Sequence, residues 1–324
     1  MEQIAVEPQY LEPSDLSELI ARVNDWARVV SLPPRTDGSV YRSILQESSI
    51  GIGSPRPSWI LGTKLRLIQL AGVGYEDYVG VGLEDQPQLA ICNARGVLNI
   101  CIAEHVMAMM LALCRQLPYH LQAQRESRWA PKYNSFVELT GQTLVVVCLG
   151  DIGGEVAQRA VGLGMRLLGV RRDVNATSSA GVERVLPLQQ LPEALRQADQ
   201  VVVALPGGKS TRHLVDAGMI AHIKPGAFLY NVGRGAVVDQ SALIAALQSG
   251  HLAGAGLDVF EQEPLAAENP LWQMPQVIIT PHIAGYSPQC AKRFGRLVIE
   301  NVERYRNHQT LRNRIPTTAL AATS

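Results

Sequence analysis

From about residue 142 onward, short apolar runs alternate with segments of helical spacing, a pattern that few folds can absorb. Leu144 to Leu149, Met165 to Val170, Gln200 to Leu205, Phe228 to Val232, Gly254 to Phe260 and Val277 to Thr280 read as strands. Glu155 to Val161, Leu191 to Ala198, Ala217 to Ile223 and Ser241 to Gln248 read as the helices between them. Strands that are apolar throughout are buried on both faces. That requires a parallel sheet, right-handed crossovers and a layer of helices on each side.

The chain has 324 residues, more than one hydrophobic core usually supports, so two domains are expected. The first part is less regular, with candidate strands at Ser49 to Ile52, Leu65 to Leu70 and Gln88 to Ile91 and a helix over Pro13 to Val29. It reads as a smaller α/β domain. Asn99 to Leu117 reads as a long buried helix leading out of it, and Gln289 to Asn307 is helical again after the last strand. We therefore expect two doubly wound parallel-sheet domains: a Rossmann-type nucleotide domain over residues 99–288, and a smaller, discontinuous substrate domain formed by residues 1–98 and 289–324. The tail after Pro316 is small and polar and is expected to fray.

Charge narrows the function. The formal net charge is zero and the charges are scattered, which argues against a nucleic-acid or anionic-membrane surface. The longest uncharged apolar stretch, Val106 to Cys114, is too short to span a bilayer. The start, Met1-Glu2-Gln3-Ile4, lacks the basic end and apolar core of a signal peptide, so a cytoplasmic location is expected. Cys92, Cys101, Cys114, Cys148 and Cys290 are odd in number and widely separated. They suggest neither a disulfide framework nor a metal site.

The head of the alternating half carries the cofactor signal. After the strand comes Cys148-Leu149-Gly150-Asp151-Ile152-Gly153, a dinucleotide fingerprint with its second and third glycines in place and Cys148 at the first. The second glycine admits the pyrophosphate to the backbone, the third lets helix and strand pack closely, and the phosphates would rest on the helix N-terminus. Cys148 is expected to alter the tight turn without excluding binding. At the end of the next strand, Arg171-Arg172-Asp173 places two guanidiniums where a ribose-binding acid is usual, which favours NADP over NAD. The alternative is that Arg171 and Arg172 are solvated and Asp173 reaches the ribose.

Three later strand ends present Arg234, Glu263 and His282. In a parallel sheet, ligands bind outside the carboxyl ends of the strands. There, a guanidinium, a carboxylate and an imidazole can orient an anionic substrate, hold the proton donor charged and protonate a carbonyl oxygen. Glu104 and His105, within a buried helix, are expected to serve interdomain or intersubunit hydrogen bonds, and His251 to be solvated. Tyr75 and Trp129 suit a pocket lining or ordinary packing equally.

From about Leu70 to Arg304 the chain resembles the D-isomer-specific 2-hydroxyacid dehydrogenases, the family that includes glyoxylate/hydroxypyruvate reductases and phosphoglycerate dehydrogenases. The resemblance rests on Asn231-Val232-Gly233-Arg234-Gly235-Ala236-Val237-Val238-Asp239, on Gly256-Leu257-Asp258-Val259-Phe260-Glu261-Gln262-Glu263-Pro264-Leu265, and on Thr280-Pro281-His282-Ile283-Ala284-Gly285. Ala71-Gly72-Val73-Gly74 and Ala103-Glu104-His105 support it. It implies that Arg234 binds the substrate carboxylate and carbonyl, that Glu263 keeps His282 protonated, and that His282 delivers the proton. It also implies carboxylate contacts from Val73 and Gly74, and cofactor contacts from Gly150, Asp151, Ile152, Gly153, Arg171, Arg172, Pro206, Val232, Gly233, Asp258, His282 and Gly285, with Asp258 holding the nicotinamide carboxamide. The implied activity is NADPH-preferring, or NADH-dependent, reduction of a small 2-oxo acid by a homodimer. A dehydrogenase of another small anion such as phosphite, and a nucleotide-sensing interaction protein, are the competing readings. Formate is disfavoured, because formate dehydrogenases of this superfamily carry glutamine in place of Glu263.

Overall fold

The computed structural model describes residues 1–131, 136–174 and 181–321 and divides into two compact units. The first comprises Met1–Leu98 and Tyr286–Ser324, the second Asn99–Gly285. The chain begins with β1 (Glu2–Val6), α1 (Pro13–Val23), β2 (Ala27–Ser31), α2 (Gly38–Glu47), β3 (Ile50–Ile52), α3 (Pro57–Ile60), β4 (Leu67–Gln69) and β5 (Ala90–Cys92). These strands form a parallel sheet in the order β2-β1-β3-β4-β5. Ser31, Val6, Ile52, Gln69 and Cys92 lie in register across its carboxyl edge.

The second unit follows with α4 (Asn99–Cys114), α5 (Leu117–Arg125), β6 (Thr143–Val147), α6 (Asp151–Gly162), β7 (Arg166–Val170), β8 (Arg184–Leu186) and α7 (Leu191–Leu195). It closes with β9 (Gln200–Val203), α8 (Ala217–His222), β10 (Ala227–Asn231), α9 (Gln240–Gln248), β11 (Leu252–Leu257) and β12 (Val277–Ile279). Seven parallel strands run in the order β12-β11-β10-β9-β6-β7-β8. The order reverses between β6 and β9, the switch point where such sheets open a crevice for ligand. Val145, Val147, Val201, Val203, Leu229 and Ala255 fill the core beneath it. The architecture is α/β with two doubly wound parallel sheets.

The chain returns to the first unit as α10 (Pro288–Arg306), capped by Ser287, whose Oγ accepts from the amide of Cys290 at 3.1 Å. Phe294, Val298 and Val302 on its inner face join the core of Ile4, Ile50 and Leu67. No single helix among the described residues is long and apolar enough to cross a membrane.

Three local expectations change. The helix from Pro13 stops at Val23, and Ala27–Ser31 is the edge strand β2, paired with β1. An edge strand is buried less evenly than a central one, so Arg28 and Ser31 interrupt the apolar run that would have betrayed it. The helix from Asn99 stops at Cys114, where Gln116 takes a left-handed φ of 56° and α5 begins. Within the tail, Thr317–Leu320 forms a short helix, α11, rather than fraying: Leu320 is buried and its carbonyl accepts from the amide of Gly80 at 2.7 Å, while residues 322–324 lie outside the described residues.

A polar cluster sits at the carboxyl edge of the first sheet, built on Glu7, which is only 1% exposed. Glu7 Oε1 accepts from Arg35 Nε and Tyr41 Oη, both at 2.8 Å, and Oε2 accepts from Arg35 Nη2 at 3.0 Å and the Ser54 amide at 2.9 Å. Burial pushes the Glu7 carboxyl up, but these four donors outweigh it and hold the group below the usual carboxylate range. Tyr10 accepts from Arg35 Nη2 at 3.3 Å.

Candidate active site

β11 and β12 end beside each other, and the buried carboxylate of Asp258, 2% exposed, organises the loop that follows β12. Asp258 Oδ1 accepts from Thr280 Oγ1 at 2.6 Å and from the Ile283 amide at 2.9 Å; Oδ2 accepts from the Ala284 amide at 3.0 Å. The Asp258 carbonyl accepts from the His282 amide at 2.8 Å. Pinned on both sides, His282 takes a left-handed φ of 55°. A non-glycine residue holds that conformation only where its surroundings enforce it. The result is a half-exposed imidazole displayed at the sheet edge.

His282 Nδ1 lies 2.7 Å from Glu263 Oε2, and Glu263 Oε1 accepts from the amide of Phe260 at 3.0 Å. The carboxylate is thereby fixed between backbone and imidazole. Beside it, Arg234 begins the 3-10 turn Gly235–Val237 after β10. Asn231 closes this turn: its Nδ2 donates to the Arg234 carbonyl at 3.1 Å and its Oδ1 accepts from the Gly233 amide at 3.2 Å.

The glycines flanking Arg234 are close contacts. A Cβ on Gly233 would lie 2.4 Å from the Leu205 carbonyl oxygen, and one on Gly235 would lie 1.9 Å from the Phe260 carbonyl. The Arg234 turn thus packs backbone to backbone on the segment that anchors Glu263. These loops bring a cation, a carboxylate and an imidazole to one edge, an arrangement suited to orienting an anion and transferring a proton.

The resemblance gave Asp258 a contact with the nicotinamide, whereas here both its oxygens serve the His282 turn, with one acceptor position left on Oδ2. His105, on α4, extends this network. Its Nε2 meets Thr280 Oγ1 at 2.9 Å, and since that hydroxyl donates to Asp258, the imidazole must donate from Nε2. Sequence spacing could not have revealed this, because residues 105 and 280 are far apart in the chain. Glu104, by contrast, is largely exposed and pairs with Arg159 at 3.7 Å. His251 is partly buried, with Nε2 on the Ile220 carbonyl at 3.0 Å, rather than solvated. Tyr75 packs partly buried against the first unit's core, and Trp129 is 97% exposed.

At the switch point, the fingerprint turn survives the missing first glycine. Cys148 itself adopts a φ of 80° and is partly buried, and burial pushes its thiol up, so it stands there as a neutral group. A Cβ on Gly153 would lie 2.2 Å from the Cys148 carbonyl oxygen, so the third glycine is the close helix–strand contact. A Cβ on Gly150 would meet only Cys148 Sγ, at 3.6 Å. Gly150 therefore borders open space where α6 begins, and Asp151, Ile152 and Gly153 form its first turn. That cradle fits a pyrophosphate. Arg171 is partly buried and Arg172 and Asp173 are exposed after β7.

Among the remaining expected residues, the Pro206 carbonyl accepts from Thr211 Oγ1 at 2.9 Å, and the buried Val232 donates to Val203 at 3.1 Å. Gly285 ends the second unit. In the first unit, Asn93 Nδ2 donates to the Val73 carbonyl at 2.8 Å and Ala94 N to the Gly72 carbonyl at 2.9 Å, fixing the loop after β4. The amides of Val73 and Gly74 meet no acceptor among the described residues. Nor do those residues group three or more metal-ligating His, Cys, Asp or Glu side chains.

Comparison with known proteins converges on one family. The family described as D-isomer specific 2-hydroxyacid dehydrogenase, NAD binding domain, matches residues 107–284. A glyoxylate reductase of Korarchaeum cryptofilum is 36% identical over 246 residues, covering 74% of this chain and 72% of the relative. A D-3-phosphoglycerate dehydrogenase of Archaeoglobus fulgidus is 32% identical over 251 residues, which are 78% of this chain but 47% of that protein, so the chain spans about half its length. A D-isomer specific 2-hydroxyacid dehydrogenase of Xanthobacter autotrophicus, solved in complex with NADPH and MES, superposes with a TM-score of 0.79 at 27% identity, covering 98% of each chain.

Proposed function

Because the chain belongs to the D-isomer specific 2-hydroxyacid dehydrogenase family, we propose that it is an NADPH-preferring reductase of small 2-oxo acids that forms the D-2-hydroxy acid. Glyoxylate, the smallest 2-oxo acid, and hydroxypyruvate are the first to test. The observation that carries the reading is the 2.7 Å contact of His282 with an anchored Glu263, beside the Arg234 turn.

The nicotinamide cofactor supplies the hydride. Gly150, Asp151, Ile152 and Gly153 hold its pyrophosphate; Pro206, Val232, Gly233 and Gly285 lie on the loops that flank it. Arg234 orients the substrate carboxylate and carbonyl, and Val73 and Gly74 offer amides to the carboxylate. With Nδ1 held by Glu263, His282 donates from Nε2 to the carbonyl oxygen as negative charge develops there. Glu263 stabilises the charged donor, and Asp258 fixes its position.

Arg171, assisted by Arg172, takes the 2′-phosphate of NADP. Charge-assisted hydrogen bonds to phosphate contribute about 1.5 to 3 kcal/mol, so NADPH should exceed NADH in kcat/KM by roughly tenfold to a hundredfold. Arg171→Asp should erase or invert that ratio. Cofactor oxidation with a panel of 2-oxo acids, using both cofactors in wild type and variant, decides these points. No turnover of any 2-oxo acid would sink the reductase reading and leave phosphite, or a nucleotide-sensing role, as alternatives. A wild type that favours NADH would transfer the ribose contact to Asp173.

Leu111, Leu117, Leu121 and Trp129 leave apolar surface exposed on and just after α4 and α5. We assign this surface to a homodimer. Light scattering that reports a monomer at micromolar concentration would remove the assignment.

A further inference from the structure

Arg35 and Tyr10 stand at the carboxyl edge of the first unit's sheet and take no part in the proton transfer. We propose that they form an oxyanion subsite for the far end of the substrate, so that the preferred substrates are 2-oxo acids bearing a second anionic group. This rests on the reading that Val73 and Gly74 hold the 2-oxo carboxylate.

The hydrogen bonds around Glu7 single out what is left to bind. Its four acceptor positions are filled by Arg35 Nε, Arg35 Nη2, Tyr41 and the Ser54 amide, so Glu7 serves to hold the guanidinium in place. That grip uses only the Nε–Nη2 edge. Arg35 Nη1 meets no acceptor among the described residues, and 38% of the side chain is exposed. Tyr10 Oη accepts from Nη2, so its own proton is directed elsewhere. Burial and the nearby Glu7 charge raise the Tyr10 pKa, so the hydroxyl keeps that proton. Nη1–H and Tyr10 O–H are then adjacent donors suited to one oxyanion. An ion pair serving stability alone is readily replaced by apolar residues of similar volume and need not keep such donors at the surface.

Register sets the length of the ligand. Val6 pairs with Ile52 and Ile52 with Gln69, so the ends of β1 and β4 are two strand spacings apart, about 10 Å. Glu7 and Tyr10 follow β1, and Val73 and Gly74 follow β4. A ligand that joins the loops after these strands carries its two anionic groups at opposite ends of a short carbon chain. A four- or five-carbon dicarboxylate, or a three-carbon acid with a phosphate or sulfonate, has that form; glyoxylate does not.

The test is a specificity ratio. With NADPH, 2-oxoglutarate, 3-phosphohydroxypyruvate and 3-sulfopyruvate are each compared with 2-oxopentanoate, whose tail is uncharged, and the three anionic arms identify the preferred oxyanion. At least one should exceed 2-oxopentanoate about tenfold or more in kcat/KM. Tyr10→Phe leaves the ion pair intact and should lower this ratio about threefold to tenfold. The double variant Glu7→Gln/Arg35→Met removes both charges of the pair together and should bring the ratio close to one. Calorimetry of the same anionic acids and of 2-oxopentanoate on the protein loaded with NADP+ reads the preference without turnover. Loss of all turnover with the binding preference intact would therefore reject the reductase reading and leave the subsite standing. A wild-type ratio near one in both measurements, or a ratio unchanged in both folded variants, overturns the subsite.

Discussion

His282→Ala should lower 2-oxo acid reduction at least about a hundredfold in kcat while NADPH still binds, the usual scale for a positioned general acid. Glu263 occupies Nδ1, so Nε2 is the donor left for the carbonyl oxygen, and alanine offers none. Cofactor affinity should survive, because the pyrophosphate cradle at Gly150 belongs to the β6–α6 turn, while His282 stands after β12. The left-handed backbone at residue 282 is no easier for alanine than for histidine, so His282→Asn, which tolerates that conformation better, serves as a folding control. Fluorescence titration with NADPH and single-turnover kinetics separate the two effects. Near-normal turnover in a folded His282→Ala protein would reject the mechanism.

An added methyl group at residue 235 should be as damaging as loss of the acid itself. The Cβ of Gly235→Ala would lie 1.9 Å from the Phe260 carbonyl carbon and oxygen and 2.5 Å from the Glu261 nitrogen, all backbone atoms with little freedom to yield. Overpacking of this kind costs about 1–3 kcal/mol or more. The Phe260 amide anchors Glu263, and Gly235 directly follows Arg234, so both side chains shift together. Misplacement by about 1 Å can reduce turnover about a hundredfold, and the melting temperature should fall by several degrees, about 2–4 °C per kcal/mol. Gly162→Ala, where the new Cβ meets nothing within 4 Å, is the control and should leave the melting temperature within about 2 °C. A Gly235→Ala protein with normal kcat/KM would show that the two loops are not mechanically joined.

The second sheet was legible because its strands are buried on both faces, and uninterrupted runs such as Leu144 to Val147 and Gln200 to Val203 can hardly be anything else. Strands at the margins were harder to see. β8, Arg184–Leu186, is a three-residue edge strand without a fully apolar run, and β1, Glu2–Val6, opens the chain with Glu2 and Gln3 and so leaves an apolar run of only three residues. Glu263 and His282 stood out because each follows an apolar run, and the 2.7 Å contact joins them directly. The Glu7–Arg35–Tyr10–Tyr41 cluster left no comparable trace. Its members are brought together by parallel pairing of β1, β2 and β3, and sequence spacing carries no record of which side chains will share an edge. The same holds for His105 and Thr280, whose hydrogen bond spans 175 positions.

Asp258 has a thermodynamic consequence beyond its hydrogen bonds. By holding Thr280, Ile283 and Ala284 at once, it moves the ordering of the acid-bearing turn into the folding reaction, where the whole second core opposes the lost chain entropy. Substrate then meets an imidazole that is already aimed. Binding free energy need not be diverted to immobilise the loop, and little reorganisation accompanies charge development on the carbonyl oxygen. A turn fixed so firmly is also a poor place for specificity to drift. Changes in which acids are accepted should arise in the first unit's edge loops, leaving the proton donor untouched.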